Sequence, residues 1–298
     1  MVDEKAQSGE VLYDVEPERF LARITLNRPE KKNAIRTIDE DVISEYIRQA
    51  EEDDDVKMIL ISGKGDDFCS GHDLNDAYDN YGGSNDPDQR RPSQRARVIP
   101  LDHSVWGRRS FMQAIAWSKK VTICKVSGYC YGHGVPMVLY SDFVVASSDS
   151  RFSHPAVLYH GFGGDLTAYI LNIGMKKAKE MTFDCKPIHA EEAERIGLVT
   201  KVVPKEKLDE EVDELIERVG RMPKDAIVMG KMHFDCAMQA VGMGTGLSIA
   251  TMNLAWASNV RYEKGEFNLI RERSKSGVSN ALKTRDANVK RSFVDKQD

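Results

Sequence analysis

Twice in this chain a short apolar run closes on a glycine-bearing turn and leads into residues at helical spacing. Val56 to Ile61 (VKMILI) runs through Ser62-Gly63-Lys64-Gly65 to the turn Phe68-Cys69-Ser70-Gly71-His72-Asp73-Leu74. Val121 to Val126 (VTICKV) runs directly into Ser127-Gly128-Tyr129-Cys130-Tyr131-Gly132-His133-Gly134. Glycine lets the backbone turn sharply there and leaves N–H groups uncovered. Phe20 to Leu26 reads as a further strand, ended by Asn27-Arg28-Pro29-Glu30, and Phe143 to Ala146 as another. Thr37 to Ala50 places Ile38, Val42, Ile43, Tyr46 and Ile47 at helical spacing, with Thr37 as N-cap and Glu40 three residues on. Strands separated by helical segments predict an α/β fold with largely parallel connections.

A length of 298 residues allows one large domain, or one domain with a smaller appendage. Residues 79–98 have almost no apolar content and hold Arg90, Arg91, Arg95 and Arg97. They read as a polar insertion, either a solvated basic loop or a clamp for a phosphorylated ligand. From Ala190 onward the pattern is helical: Leu208 to Val219 is a charged amphipathic helix, and Met229 to Trp256 forms one or two more. The expected division is therefore a core over 1–205 and a helical region over 206–298.

Acidic residues (47) outnumber Lys and Arg (42), a net charge of −5 that argues against a nucleic-acid partner. The densest apolar stretch, Gly134 to Ala146, is broken by Pro136, Ser141 and Asp142, so no membrane partner is expected. The five cysteines are scattered and form no CxxC pair, which leaves zinc, a disulfide framework and a cysteine nucleophile without support. The N-terminal MVDEKAQSGE shows no basic-then-apolar signal. Together with the unpaired cysteines this predicts a reducing compartment, cytoplasmic or matrix-like, and the expected location is cytoplasmic.

Two backbone N–H groups converging on one oxygen would make an oxyanion hole, and the two glycine turns occur in an order that suits one. The turns lie between Leu26-Asn27-Arg28-Pro29-Glu30-Lys31-Lys32-Asn33-Ala34 upstream and Ser141-Asp142-Phe143-Val144-Val145-Ala146 and Phe152-Ser153-His154-Pro155 downstream. Ala190-Glu191-Glu192-Ala193, Gly197-Leu198-Val199 and Lys264-Gly265 follow. On these motifs, over roughly residues 20 to 275, the chain resembles the crotonase (enoyl-CoA hydratase/isomerase) superfamily.

The resemblance implies a spiral of ββα turns with a helical C-terminal trimerisation region, often doubled to a hexamer. It implies an acyl-CoA thioester as substrate, with coenzyme A as part of that substrate and neither metal nor separate cofactor. The backbone N–H groups of His72 and His133 match the family's oxyanion donors, though glycine usually stands at the second. Gly71, Gly132 and Gly134 border those donors, while Arg28, Lys31 and Lys32 lie in the turn that approaches the CoA nucleotide. Pro136 and Ala156 stand where hydratases of the family carry their two glutamates, so another group must move protons. Asp165 matches a region where several branches place a catalytic aspartate; on its own chemistry it is also a natural N-cap for a helix from Leu166 to Asn172.

His160 and His133 are the candidate partners of Asp165, since imidazole suits proton transfer near neutral pH. His154, Tyr131 and Tyr159 are further polar groups nearby in sequence, for which packing or a structural hydrogen bond is the alternative role. The leading expectation is an enolate-forming hydratase, isomerase or decarboxylase-type lyase with an Asp, and possibly a His, in place of the glutamates. The alternatives are a C–C bond hydrolase of a cyclic β-diketone or ring ketone, and a non-catalytic acyl-CoA binder.

Overall fold

In the computed structural model the chain is described over residues 9–76, 110–158, 164–257 and 262–289. Nine strands appear there. They are β1 (Val11–Glu16), β2 (Leu21–Leu26), β3 (Met58–Gly63), β4 (Val121–Val126), β5 (Tyr129–Tyr131), β6 (Phe143–Ser147), β7 (Arg151–Ser153), β8 (Ile188–His189) and β9 (Lys201–Val203). The principal helices are α1 (Thr37–Glu52), α2 (Phe111–Trp117), α3 (Gly134–Tyr140), α4 (Leu166–Lys179), α5 (Ala190–Arg195), α6 (Leu208–Gly220), α7 (Lys224–Ala240), α8 (Met243–Ala257) and α9 (Leu269–Asn288). The polar insertion at 79–98 lies outside the described residues.

One six-stranded sheet runs β1-β2-β3-β4-β6-β9, and every pairing is parallel except β1 with β2. This is the α/β architecture expected from alternating strands and helices. Side chains alternate across a strand, so β3 serves two cores at once. Ile59 and Ile61 pack with Val42, Ile43 and Ile47 of α1 on one face. Met58 and Leu60 pack with Leu208, Val212, Leu215, Ile216 and Val219 of α6 on the other. A central strand buried on both faces must read as an unbroken apolar run, which is why VKMILI does. After β9 the described elements are all helical. Helix α6 covers one face of the sheet.

A second, three-stranded sheet joins β5, β7 and β8. It begins where the two glycine turns zip together. Cys69 donates its N–H to Tyr129 O at 2.9 Å and accepts from Tyr131 N–H at 2.8 Å, while Phe68 donates to Ser127 O at 2.8 Å. The LNRPEKKNA stretch is drawn to the same place by Asn33, which is buried and left-handed at φ 53°. Its Nδ2 donates to Lys64 O and Asp67 O, and its Oδ1 accepts from Arg28 N–H. Asparagine tolerates that backbone conformation better than most residues.

The start of α1 differs from the sequence reading. Arg36 is the N-cap, and Asp39 closes the first turn by accepting from the Arg36 N–H at 2.9 Å. The Thr37 hydroxyl instead donates to Asp76 at 2.7 Å. The one-residue shift releases Glu40 from capping and turns its carboxylate into the interior.

Candidate active site

The apices of the two glycine turns touch. Gly71 sits at φ 95°, and a Cβ built there would lie 3.1 Å from Tyr131 O, 3.2 Å from Gly132 Cα and 3.4 Å from His133 N. A Cβ on Gly132 would lie 3.2 Å from Gly71 Cα and 4.0 Å from His72 N. Only residues without a side chain allow this approach, and it brings His133 N close to Gly71 and His72 N close to Gly132. Gly134 is closed off as well: its Cβ would meet Cys69 Cβ at 3.1 Å and Cys130 Sγ at 3.3 Å. Its smallness therefore serves packing beneath the turns.

The two imidazoles meet on one carboxylate. Glu40 Oε1 accepts from His72 Nε2 at 2.7 Å and from His133 Nδ1 at 3.0 Å, and the ring centroids are 3.5 Å apart. Phe111 of α2 borders His133, with ring centroids 6.1 Å apart. Glu40 and His133 are buried and His72 is partly open. Burial alone would raise the Glu40 pKa, but the adjacent imidazoles outweigh it and hold the carboxyl down at about 2. Burial, aided by the neighbouring His72 ring, lowers His133 to about 4. Near neutral pH the pair is therefore a carboxylate beside an uncharged imidazole. A capping box with Thr37 accounts for Glu40 in the sequence reading, whereas in the structure Asp39 closes the box with Arg36 and leaves Glu40 to the imidazoles. Glu40, His72 and His133 each offer one atom that can ligate a cation, all within 4.8 Å of one another.

Asp165 stands apart from this cluster. It is the N-cap of α4, accepting from Thr167 N–H at 2.8 Å, and its other oxygen accepts from the Tyr140 hydroxyl at 2.9 Å. Gly246 of α8 packs against it so closely that a Cβ there would fall 2.1 Å from Asp165 Oδ1. Burial raises the Asp165 pKa although these hydrogen bonds oppose it. His154 is buried and hydrogen-bonded through Nδ1 to the Tyr169 hydroxyl. His160 and Tyr159 lie outside the described residues. Tyr131 packs edge-on against Tyr129.

The basic residues of the first turn divide in role. Arg28 is drawn inward, donating to Ala34 O at 2.8 Å and to Asp73 Oδ2 at 3.0 Å, which ties the turn to the His72 loop. Lys32 donates to Asp67 at 2.8 Å and lies 4.3 Å over the Tyr129 ring, while Lys31 is exposed. The buried thiols of Cys69 and Cys124 are pushed up to about 12 by burial, so neither is a thiolate near neutral pH.

Residues 16–265 match the family described as enoyl-CoA hydratase/isomerase. The crotonyl-CoA hydratase of Syntrophomonas wolfei is 29% identical over 268 residues, covering 86% of this chain and 96% of that protein. Enoyl-CoA hydratase domain-containing protein 3, mitochondrial, from Rattus norvegicus is 28% identical over 216 residues, covering 72% of this chain and 67% of its own length. A crystal structure of enoyl-CoA hydratase from Mycobacterium smegmatis is similar at a TM-score of 0.80 and 26% identity, covering 97% of this chain and 99% of that one. The expected cytoplasmic location does not stand, because the rat protein and its Mus musculus counterpart are both named as mitochondrial. A mitochondrial matrix is also reducing, so the cysteine argument never separated the two compartments. No helix among the described residues is long and apolar enough to cross a membrane. The touching glycine turns, the parallel sheet that carries them and the match over residues 16–265 lead to one conclusion: this chain belongs to the enoyl-CoA hydratase/isomerase family, the crotonase superfamily of enzymes that act on CoA thioesters.

Proposed function

We propose that the protein binds an acyl-CoA thioester and passes it through an enolate held by the backbone N–H groups of His72 and His133. The observation that carries this reading is the contact between the two glycine turns, which sets His133 N 3.4 Å from the Cβ position of Gly71. Preorganised donors aimed at a developing oxyanion contribute about 3–4 kcal/mol each when removed singly in other enzymes. Two such donors acidify the carbon beside the thioester.

Pro136 in the first turn of α3 and Ala156 bring no carboxylate to the positions matching the hydratase glutamates. Isomerisation or decarboxylation, which need only one proton-transfer group, fit this better than two-carboxylate hydration. Of the sequence candidates for that group, His133 has the contacts that suit it. The carboxylate of Asp165 is engaged by the α4 N-terminus and Tyr140. Lys31 and Lys32 stand at the surface where charge would favour the CoA phosphates. The exposed side chains of Met229, Met232 and Phe234 on α7 support assembly into trimers, since faces of that kind are usually covered.

The test is incubation with saturated acyl-CoA thioesters in D₂O, with deuterium at the α-carbon read by mass spectrometry. Incorporation is expected. Binding without incorporation would reduce the protein to an acyl-CoA carrier, and no binding would remove the thioester reading altogether.

A further inference from the structure

We infer that Glu40 is a positioning residue: by holding the His72 and His133 side chains on one carboxylate oxygen, it fixes the two residues whose backbone N–H groups receive the substrate oxyanion. The inference deepens the acyl-CoA reading above and rests on it. Glu40 Oε1 lies 2.7 Å from His72 Nε2 and 3.0 Å from His133 Nδ1. Both are hydrogen-bond distances. An ionised carboxylate accepts both bonds when those two nitrogens carry their protons, whatever the remaining ring nitrogens bind. Glu40 is thereby a brace between the two glycine turns.

The backbone leaves this connection to the side chains. Among the described residues, the last backbone hydrogen bond joining the two turns runs from Tyr131 N–H to Cys69 O at 2.8 Å. His72 and His133 lie beyond it. The backbone on either side of His72 is fastened instead to Ile35, just ahead of α1: Ile35 N–H donates to Gly71 O and Asp73 N–H donates to Ile35 O, both at 2.8 Å. Glu40 follows on that same stretch, so its carboxylate and the His72 backbone share one frame. His133 belongs to the other frame. There Gly132 N–H donates to Ser153 O at 2.9 Å, and His133 opens α3 without a side-chain bond to the helix. The bond from His133 to Glu40 ties the second frame to the first across 93 residues of sequence.

Glu40 is also costly to keep. It is 3% exposed, and its second oxygen, Oε2, is buried with no hydrogen-bond partner among the described residues. A buried polar atom left unpaired lowers stability, and such exceptions call for a role beyond folding. The two imidazoles are confined, with ring centroids 3.5 Å apart and Phe111 of α2 at 6.1 Å from His133. A ring held at its far end restrains the backbone N–H of its own residue. That restraint matters because an oxyanion hole works through donors already in place when charge develops. A cation held by the same three side chains is the competing explanation of the unpaired oxygen, and the experiment separates the two.

The experiment uses the full chain and butyryl-CoA carrying ¹³C at the thioester carbonyl. It reads affinity, the infrared carbonyl stretch of the bound thioester, α-proton exchange in D₂O per folded molecule, and bound metal. Two N–H donors weaken the carbonyl bond, so the unaltered protein is expected to move the stretch to lower wavenumber. Glu40→Leu removes the brace and neither donor. It is expected to bind butyryl-CoA, to lose most of that shift and to lose about 10²–10³-fold in exchange. Glu40→Gln keeps an acceptor oxygen without the charge, so its shift and exchange are expected to fall between the two. His133→Leu breaks the same brace from the other end while keeping its N–H, and is expected to lose the shift as Glu40→Leu does. A purely structural Glu40 would alter unfolding and leave the bound carbonyl where it was. An unchanged carbonyl stretch in any of the three variants that folds, or one transition-metal ion per chain in the unaltered protein, would overturn the inference. Survival of the shift in the variants removes the brace alone and spares the oxyanion hole. Binding without a shift by the unaltered protein removes the oxyanion hole and the brace with it, and absence of binding removes the acyl-CoA reading as well.

Discussion

Asp165 is held from both sides. One carboxylate oxygen closes the first turn of α4 and the other receives the Tyr140 hydroxyl. Asp165→Ala removes a cap, typically about 1 kcal/mol, and strands a buried hydroxyl at about 1–3 kcal/mol. Asp165→Asn keeps the cap and is expected to cost less than Ala in urea unfolding while preserving deuterium exchange at the substrate. Exchange abolished in a folded Asp165→Asn protein would return Asp165 to the catalytic role its sequence position suggested. The Glu40 and His133 pair sets a pH dependence of its own. His133 is held at about 4 against 6.5, so the unfolded chain binds more protons and the His133 contribution is lost as pH falls from 6.5 to 4. Glu40, at about 2 against 4.5, loses its contribution as pH falls from 4.5 to 2. Urea midpoints are therefore expected to fall from pH 7 to pH 4.5, and less steeply in His133→Gln. Parallel curves for the two proteins would count against the buried uncharged imidazole. The two glycine turns are legible in the sequence because a sharp turn leaves a local signature, and the family resemblance is what singles out His72 and His133 within them. Glu40 has no such signature: its partners are 32 and 93 residues away, and only the one-residue shift of the α1 cap frees it.

At the level of elements, the strands that were readable are those whose burial repeats over several residues. VTICKV is β4 from end to end, and VKMILI overlaps β3, which begins at Met58. Strands β5, β7 and β8 are three, three and two residues long, too short for any period, and they exist because distant segments pair with them. That second sheet is what locks the two glycine turns together, so its absence from the sequence reading left the convergence of the turns to inference from family likeness. Gly71 tests the coupling directly. Gly71→Ala forces a side chain into φ 95° and against Tyr131 O and Gly132 Cα. The expected cost is about 1–3 kcal/mol in unfolding, with exchange falling far more than stability because the two N–H groups are driven apart. Gly9→Ala, at φ 68° with nothing within 4 Å of its Cβ, carries backbone strain only and is the control. Equal activity in the two variants would show that the contact between turns does not set the donors.

At the scale of the whole molecule, exposed apolar side chains recur on α7 and α8 among the described residues. Helix α7 buries Ile227 against the α6 side of the sheet, while Met229, Met232 and Phe234 are 60%, 52% and 71% exposed. On α8, Ile249 and Met252 are also exposed, at 47% and 46%. Isolated apolar residues on a surface need no explanation, but five exposed on two consecutive helices spread apolar area that water makes costly around α7 and α8. Methionine suits such positions, since its unbranched side chain adapts to the surface it meets. Association through α7 and α8 would cover it, in keeping with the trimer that the crotonase resemblance implies. Phe234→Asp places a charge at the most exposed of these side chains and leaves the sheet core untouched. The unaltered protein is expected to run as a trimer or hexamer in light scattering, and Phe234→Asp as a smaller species with unchanged far-ultraviolet circular dichroism. An unaltered protein that is monomeric at micromolar concentration, or a Phe234→Asp variant that assembles as before, would place the contact elsewhere.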